Sequence, residues 1–187
     1  MAFWKKRTFE HAWLGDTGVL ETDLVHAVEI TPELDEGYLA LLDDEFQEVH
    51  HWPESLIKHT ARGLAAGRGI RHKLTQSTAA LVLAGQPDVV VGFVSVEQLG
   101  VANEPYQVGL QIHRDYRKQG IVTGLLPALV ERLGDAGLTD VALSTSKDNK
   151  AMIRVCNKLG YKHEAVQHRH PDGTVESARR YRLLGNG

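Results

Sequence analysis

The sequence predicts a single α/β domain, a mixed and mostly antiparallel sheet flanked by helices. Three observations predict it. Runs of β-type alternation and runs of helical spacing follow one another as strand, two helices, three strands, helix, strand, helix, two strands. Two pairs of β runs are joined by turn-forming residues, Gly85-Gln86-Pro87-Asp88 and Pro171-Asp172-Gly173, which read as hairpins. The chain has 187 residues, 42% hydrophobic and 24% charged, enough for one core without disulfides or metal.

Each element has its own signal. Leu-Val-His-Ala-Val-Glu-Ile over 24–30 alternates and predicts a strand. Thr31-Pro32 then starts a helix, with Thr as cap and Pro in the first turn, and Leu34, Tyr38, Leu41, Leu42 and Phe46 recur along one face. His50-His51-Trp52-Pro53 ends that helix. A second helix runs from Glu54 through Leu56, Ile57 and Leu64 to Gly67-Arg68-Gly69. Strands follow over 78–84, 89–99 and 107–113. A helix is expected over 118–133, a strand over 139–145, and a helix over 148–159 that Gly160 stops. Strands over 162–170 and 174–184 close the domain. There is no internal repeat and no low-complexity segment.

Composition excludes several classes. A single cysteine, Cys156, rules out an intramolecular disulfide and fits a reducing compartment, so a cytoplasmic setting is expected. The net charge of −3 gives no electrostatic reason for a nucleic-acid partner, although Lys5-Lys6-Arg7 and Arg179-Arg180-x-Arg182 are local basic runs. No apolar run nears the roughly 18 residues that suggest a membrane span. The first twenty residues lack the apolar stretch of a signal peptide and read as an arm. That arm could pack on the sheet through Phe3, Trp4, Phe9 and Trp13, or support a dimer.

Two segments carry candidate chemistry. The first is the loop Arg114 through Lys118 to Gly120, between a strand and a helix. Free N–H groups and the dipole of a helix N-terminus attract phosphate, Arg117 and Lys118 add positive charge, and Gly120 permits close approach. A plain connection reads the same way. The second is the helix opened by Asn149, where Ala151, Val155 and Leu159 share a face. Packing explains that face, and Asn149 reads equally as an N-cap.

Together these segments resemble the GNAT acyl-CoA transferases. In that superfamily Arg/Gln-x-x-Gly-x-Gly/Ala cradles the CoA pyrophosphate; here it stands as Arg117-Lys118-Gln119-Gly120-Ile121-Val122, with Thr123 following. The superfamily's Asn-x6-Tyr-x3-Gly-Phe holds the pantetheine arm; here it stands as Asn149, Cys156 and Gly160-Tyr161. His51-Trp52-Pro53-Glu54, Gly92-Phe93-Val94-Ser95, Gly109-Leu110-Gln111-Ile112, Gly160 to Ala165 and Pro171-Asp172-Gly173 are similar to the RimJ/RimL branch of ribosomal-protein N-terminal acetyltransferases. The resemblance covers residues 24–184. It divides the chain into an extension, 1–22, and an N-acetyltransferase domain, 23–187. Val122 and Cys156 depart from the pattern, since they replace a small residue and a tyrosine.

The resemblance implies acetyl-CoA as donor and an amine as acceptor, either a protein N-terminus or a small molecule. It also implies an oxyanion held by backbone N–H groups of Leu110, Gln111 and Ile112. A base is needed, because a free amine is protonated at neutral pH. Glu97, on the neighbouring strand, is the first candidate. His168 and His170, at alternate positions of one strand, are the others, with an ordinary pKa of about 6.5. Each reads equally as a surface polar residue. His50 and His51 border the expected acceptor pocket. Cys156 lies beside the pantetheine arm and is a candidate acid. Asp43, Asp44, Glu45 and Glu48 could attract a cationic acceptor. The histidines lack metal-ligand spacing, so no metal is expected. Members of this fold often pair through C-terminal elements, which leaves a homodimer open. The alternative to an enzyme is a catalytically silent module that binds CoA or a partner protein.

Overall fold

A computed structural model describes residues 12–14, 17–65, 75–98, 104–170 and 172–185. Eight strands form one sheet: β1 (Val19–Glu21), β2 (Val25–Glu29), β3 (Thr75–Leu83), β4 (Gln86–Gln98), β5 (Tyr106–Ile112), β6 (Val141–Ser146), β7 (His163–Arg169) and β8 (Val175–Leu184). Their order is β1-β2-β3-β4-β5-β6-β8-β7, antiparallel throughout except for the parallel pair β5–β6. The helices are α1 (Asp35–Ala40), α2 (Asp44–His50), α3 (Glu54–Ala65), α4 (Ile121–Asp135) and α5 (Lys150–Lys158).

Alternation along the strands divides the core. Val25, Ala27, Ala79, Leu81, Val94, Val96, Val108 and Ile112 pack with Ile121, Leu125, Leu129 and Leu133 of α4, which recur every four residues. Each such leucine, when fully buried, contributes about 1.5–3 kcal/mol. The same cluster contains Trp13 and Leu14, both 0% exposed, and the Trp13 indole N–H donates to Ser77 Oγ at 2.9 Å. With β1 also in the sheet, packing extends across the boundary drawn at residue 22. Phe3, Trp4, Phe9, the Lys5-Lys6-Arg7 run, Gly67-Arg68-Gly69 and Pro171 lie outside the described residues. On the opposite sheet face, Tyr38, Leu41, Leu42 and Phe46 pack on Phe93.

Three elements differ from the sequence expectation for local reasons. The helix expected from Thr31 is a 3-10 turn (Pro32–Leu34) followed by two helices, because the Asp43 carboxylate accepts the Phe46 N–H at 2.9 Å and starts α2 afresh. The turn expected over Gly85-Gln86-Pro87-Asp88 is tighter. Gly85, at φ +81°, makes it, and β4 already begins at Gln86. The helix expected from Lys118 starts at Ile121, because Lys118 and Gly120 both have positive φ.

Candidate active site

The site begins as a defect in the sheet. His113 N–H donates to Val91 C=O at 2.8 Å, which turns the odd-numbered backbone groups of β5 toward β4. Tyr106 N–H donates the other way, to Asp140 C=O at 3.0 Å. The even residues Val108, Leu110 and Ile112 therefore present their N–H and C=O groups to the β6 side. The β5–β6 ladder, however, pairs only Tyr106 with Val141 and Gln107 with Ala142. Past these residues the parallel strands part, leaving a wedge edged by backbone donors and acceptors. Such groups need partners, and a ligand bearing amides or a carbonyl fits them.

The wedge opens toward the loop before α4. The first bond inside α4 runs from Gly124 N–H to Gly120 C=O at 3.0 Å, so Ile121, Val122 and Thr123 offer N–H groups without helical acceptors. Gly120 reaches φ +86°, which favours glycine. Ile121 is buried and Val122 packs against the core. Gln119 Nε2 donates to Asp115 C=O at 3.3 Å and Lys118 is exposed. Arg117 Nε donates to Ile112 C=O at 2.9 Å, and its Nη1 pairs with Glu45 of α2 at 2.6 Å.

On the other side of the wedge Asn149 caps α5, accepting the Met152 N–H at 3.0 Å. Cys156 lies within the main core, 0% exposed, and burial pushes its thiol up to about 11. Transfer of that proton to a thiolate of ordinary pKa, about 8.5, runs uphill by about 3 kcal/mol. Its place in the core gives this cysteine a packing role, and the raised thiol weighs against its use as an acid. Burial, and then the neighbouring Cys156, raise the Tyr161 hydroxyl.

Above the other sheet face stand the remaining candidates. Glu97 accepts the Ser95 hydroxyl at 3.3 Å. Burial raises its carboxyl and the Ser95 bond opposes the rise. The buried Tyr38 hydroxyl is raised by desolvation and then by Glu97. Gly109 faces Ser95, whose Oγ lies 2.6 Å from where a Cβ would stand. His168 and His170 do come together, ring centroids 4.8 Å apart, and His170, 7% exposed, pairs with Glu176 at 3.1 Å. His51 lies 4.4 Å from the His170 ring and bonds Asp172 at 3.2 Å. His50 stacks on Phe46 and reaches Gln111 Oε1 at 3.5 Å. Desolvation lowers His50 and His168.

Other expectations are redistributed. Asp43 is a cap and Glu45 is Arg117's partner, so of the acidic run Asp44 and Glu48 are the exposed members. Arg180 is paired with Glu104 at 3.2 Å and Glu164 at 3.7 Å, which removes it from a basic surface. No group of three or more His, Cys, Asp or Glu among the described residues is placed to hold a metal, and no described helix is long and apolar enough to cross a membrane. Sequence reasoning missed Tyr38, Ser95 and the Glu45–Arg117 pair, for which no local motif signals.

A mixed sheet split between two parallel strands, with a glycine-started helix at the mouth of the split, is the architecture that the resemblance drawn from the sequence implies. The family comparison gives the same class: residues 28–162 match the acetyltransferase (GNAT) domain model, and the chain belongs to that family. A curated relative, the acetyltransferase plu1384 of Photorhabdus laumondii, is 29% identical over 110 residues, 59% of this chain and 72% of the relative. Among solved structures, the RimL ribosomal L7/L12 α-N-protein acetyltransferase in complex with coenzyme A superimposes with a TM-score of 0.69 at 14% identity, over 89% of this chain and 98% of that one. The microcin C7 self-immunity acetyltransferase MccE, in complex with acetyl-CoA and AMP, gives 0.63 at 17% identity, over 87% and 93%.

Proposed function

We propose that this protein transfers an acetyl group from acetyl-CoA to a primary amine, with a protein N-terminus as the leading acceptor and a small-molecule amine as the second. The single observation that carries the reading is the β5–β6 wedge meeting the N-terminus of α4. The donor supplies an activated acyl thioester. The N–H groups of Leu110 and Ile112 face the wedge, where they can meet a developing oxyanion. Gln111, whose backbone is turned to β4, contributes its side chain on the acceptor face instead. Arg117, Lys118, Gln119, Gly120, Ile121, Val122 and Thr123 surround the place for the pyrophosphate, and Asn149 and Cys156 flank the pantetheine arm. Glu97, its carboxyl raised by burial, is one candidate base on the acceptor face, and His170 orders the acceptor wall through Glu176. The protein acceptor is favoured by likeness to a structure named for acetylating a ribosomal protein. The lone, buried Cys156 suits a reducing cytoplasm.

The test is thermal unfolding with acetyl-CoA, CoA, ATP or NAD, followed by an amine and peptide screen read by mass. A donor at 100 times its Kd adds about 2.7 kcal/mol of stability. A rise with the two CoA species alone, and acetylated product, is expected. A rise without product on any amine favours a silent CoA-binding module, and no rise refutes the donor site.

A further inference from the structure

Helix α2 is only seven residues long, yet it is tied to β5 and its loop at both ends. At its start Glu45 holds Arg117, which also bonds the Ile112 carbonyl. At its end His50 Nε2 lies 3.5 Å from Gln111 Oε1. Between them Phe46 meets Trp52 and Phe93 edge-on, at 5.1 and 5.9 Å, and stacks on the His50 ring at 4.4 Å and 32°. One ring face of His50 is thus fixed by Phe46 and one ring edge by Gln111. Gln111 sits between Leu110 and Ile112, the two residues whose N–H groups enter the wedge. Glu97, by contrast, pairs with Gln107, four residues back along β5. At about 3.3 Å per residue that is about 13 Å away along the strand.

From this placement we propose that His50 is a second catalytic residue, which takes a proton from the acceptor ammonium at the wedge, with Gln111 fixing its ring. The inference rests on the transferase reading above. In the step, His50 donates its Nε2–H to Gln111 Oε1 and accepts one proton from R–NH3+ on Nδ1. The freed nitrogen lone pair attacks the thioester carbon, so a C–N bond forms and the C–S bond breaks with its electron pair going to sulfur. The nitrogen's surplus proton passes to the thiolate, and His50 releases its own proton to solvent. The sum is amine cation plus thioester giving amide, thiol and one proton.

The surroundings suit a neutral, proton-accepting imidazole. Burial most of all disfavours a charge on His50, the Gln111 bond opposes it, and His170 just beyond β7, His168 on β7 and His51 in the chain add to it. Glu176 faces His168 and His170, Asp172 is held by His51, and Arg180 stands beside His168. Glu45, on the same helix, is neutralised by Arg117.

The experiment measures kcat/KM against pH, with the best amine from the screen, for the wild type, His50→Gln, His50→Ala and Glu97→Gln. Donor binding and thermal midpoints are followed alongside. A general base contributes about 10²–10⁴-fold. Expected are a kcat loss of that order in both His50 variants, an acid limb moved up to follow the amine's own ionisation, little change in acetyl-CoA affinity, and partial rescue of His50→Ala by added imidazole. Rescue is a readout that a merely structural role would not move. Wild-type transfer with an unaltered acid limb and full kcat in His50→Gln overturns the role of His50 alone. Failure of the wild type to acetylate any amine overturns the transferase reading, and this inference with it.

Discussion

Gly92→Ala is the most pointed test of the wedge. A Cβ at Gly92 would stand 2.3 Å from the Gln111 carbonyl oxygen and 3.0 Å from Ile112 Cδ1. An ordinary C···O contact is about 3.3 Å, so about 1 Å must be found. Ile112 can rotate its terminal methyl. The Gln111 oxygen cannot move alone, because it belongs to the ladder that pairs Phe93 with Gln111. Strand β5 must therefore shift away from β4, and the N–H groups of Leu110 and Ile112, on either side of that carbonyl, shift with it. Overpacking of this kind costs about 1–3 kcal/mol, or about 2–12 °C for a chain of this length. A 1 Å misplacement of reacting groups costs about 10²-fold in rate. The assay is turnover at saturating acetyl-CoA beside a thermal scan, with Gly124→Ala as control. Gly124 lies in α4 with nothing within 4 Å of its would-be Cβ, so alanine there is expected to stabilise by about 0.5–1 kcal/mol. A Gly92→Ala protein that keeps the wild-type midpoint and a kcat within twofold would refute the placement of the oxyanion donors.

Three further outcomes follow from the geometry. Trp13→Phe loses the indole bond to buried Ser77 and part of the core ring volume, and is expected to cost about 1–3 kcal/mol in urea unfolding. No change would place Trp13 outside the folding unit. Glu45→Gln leaves the Arg117 charge uncompensated beside the loop proposed to hold the pyrophosphate. An exposed pair of this kind is worth about 0.2–1 kcal/mol, so CoA is expected to bind up to about fivefold tighter by calorimetry, with a steeper salt dependence. Weaker binding would instead make Glu45 a support that orients Arg117. Glu97 has a carboxyl raised by burial, so the folded chain holds its proton more tightly than the unfolded chain. Stability contributed there falls as pH rises from the ordinary carboxylate value through the raised one. Glu97→Gln, which cannot ionise, should gain on the wild type between pH 4 and pH 7.5 in urea midpoints, and an equal difference at both pH values would contradict the burial of that carboxyl.

The fold was largely legible because its signals are local. Alternation marked β2 to β8 within a few residues, and Gly85 and Pro171-Asp172-Gly173 marked the hairpins. Breaks set by one side chain or one dihedral were not legible. Nothing in Leu41-Leu42-Asp43-Asp44 interrupts the apolar spacing, yet the Asp43 carboxylate starts a new helix there. Lys118 looked like a helix residue, and its φ of +65° follows from the turn that precedes Gly120. Trp13 and Leu14 read as part of an arm, because only tertiary packing against Ser77 and α4 shows what they bury.

The two halves of the site differ in the same way. The donor half is made of backbone, and its sequence trace is a contiguous run, Arg117 to Thr123, beside a strand whose pairing partner leaves it. Glycine and helix start must adjoin in sequence to adjoin in space, so the motif survives in one dimension. The proposed acceptor half draws on α1, α2, β4, β5, β7 and β8. Its contacts, His50 to Gln111 and His51 to Asp172, span 61 and 121 residues, and the Arg117–Glu45 pair that ties it to the donor loop spans 72. Spacing carries no information over such separations, so Glu97 and His170 could be proposed from strand position while the pairing of Glu45 with Arg117 and the place of Tyr38 could not. In this chain the donor loop is thus recognisable in sequence, while the proposed acceptor wall leaves no motif. That is why the amine must be found by screening, and why His50, with His51, His168 and His170 near it, is the place to begin.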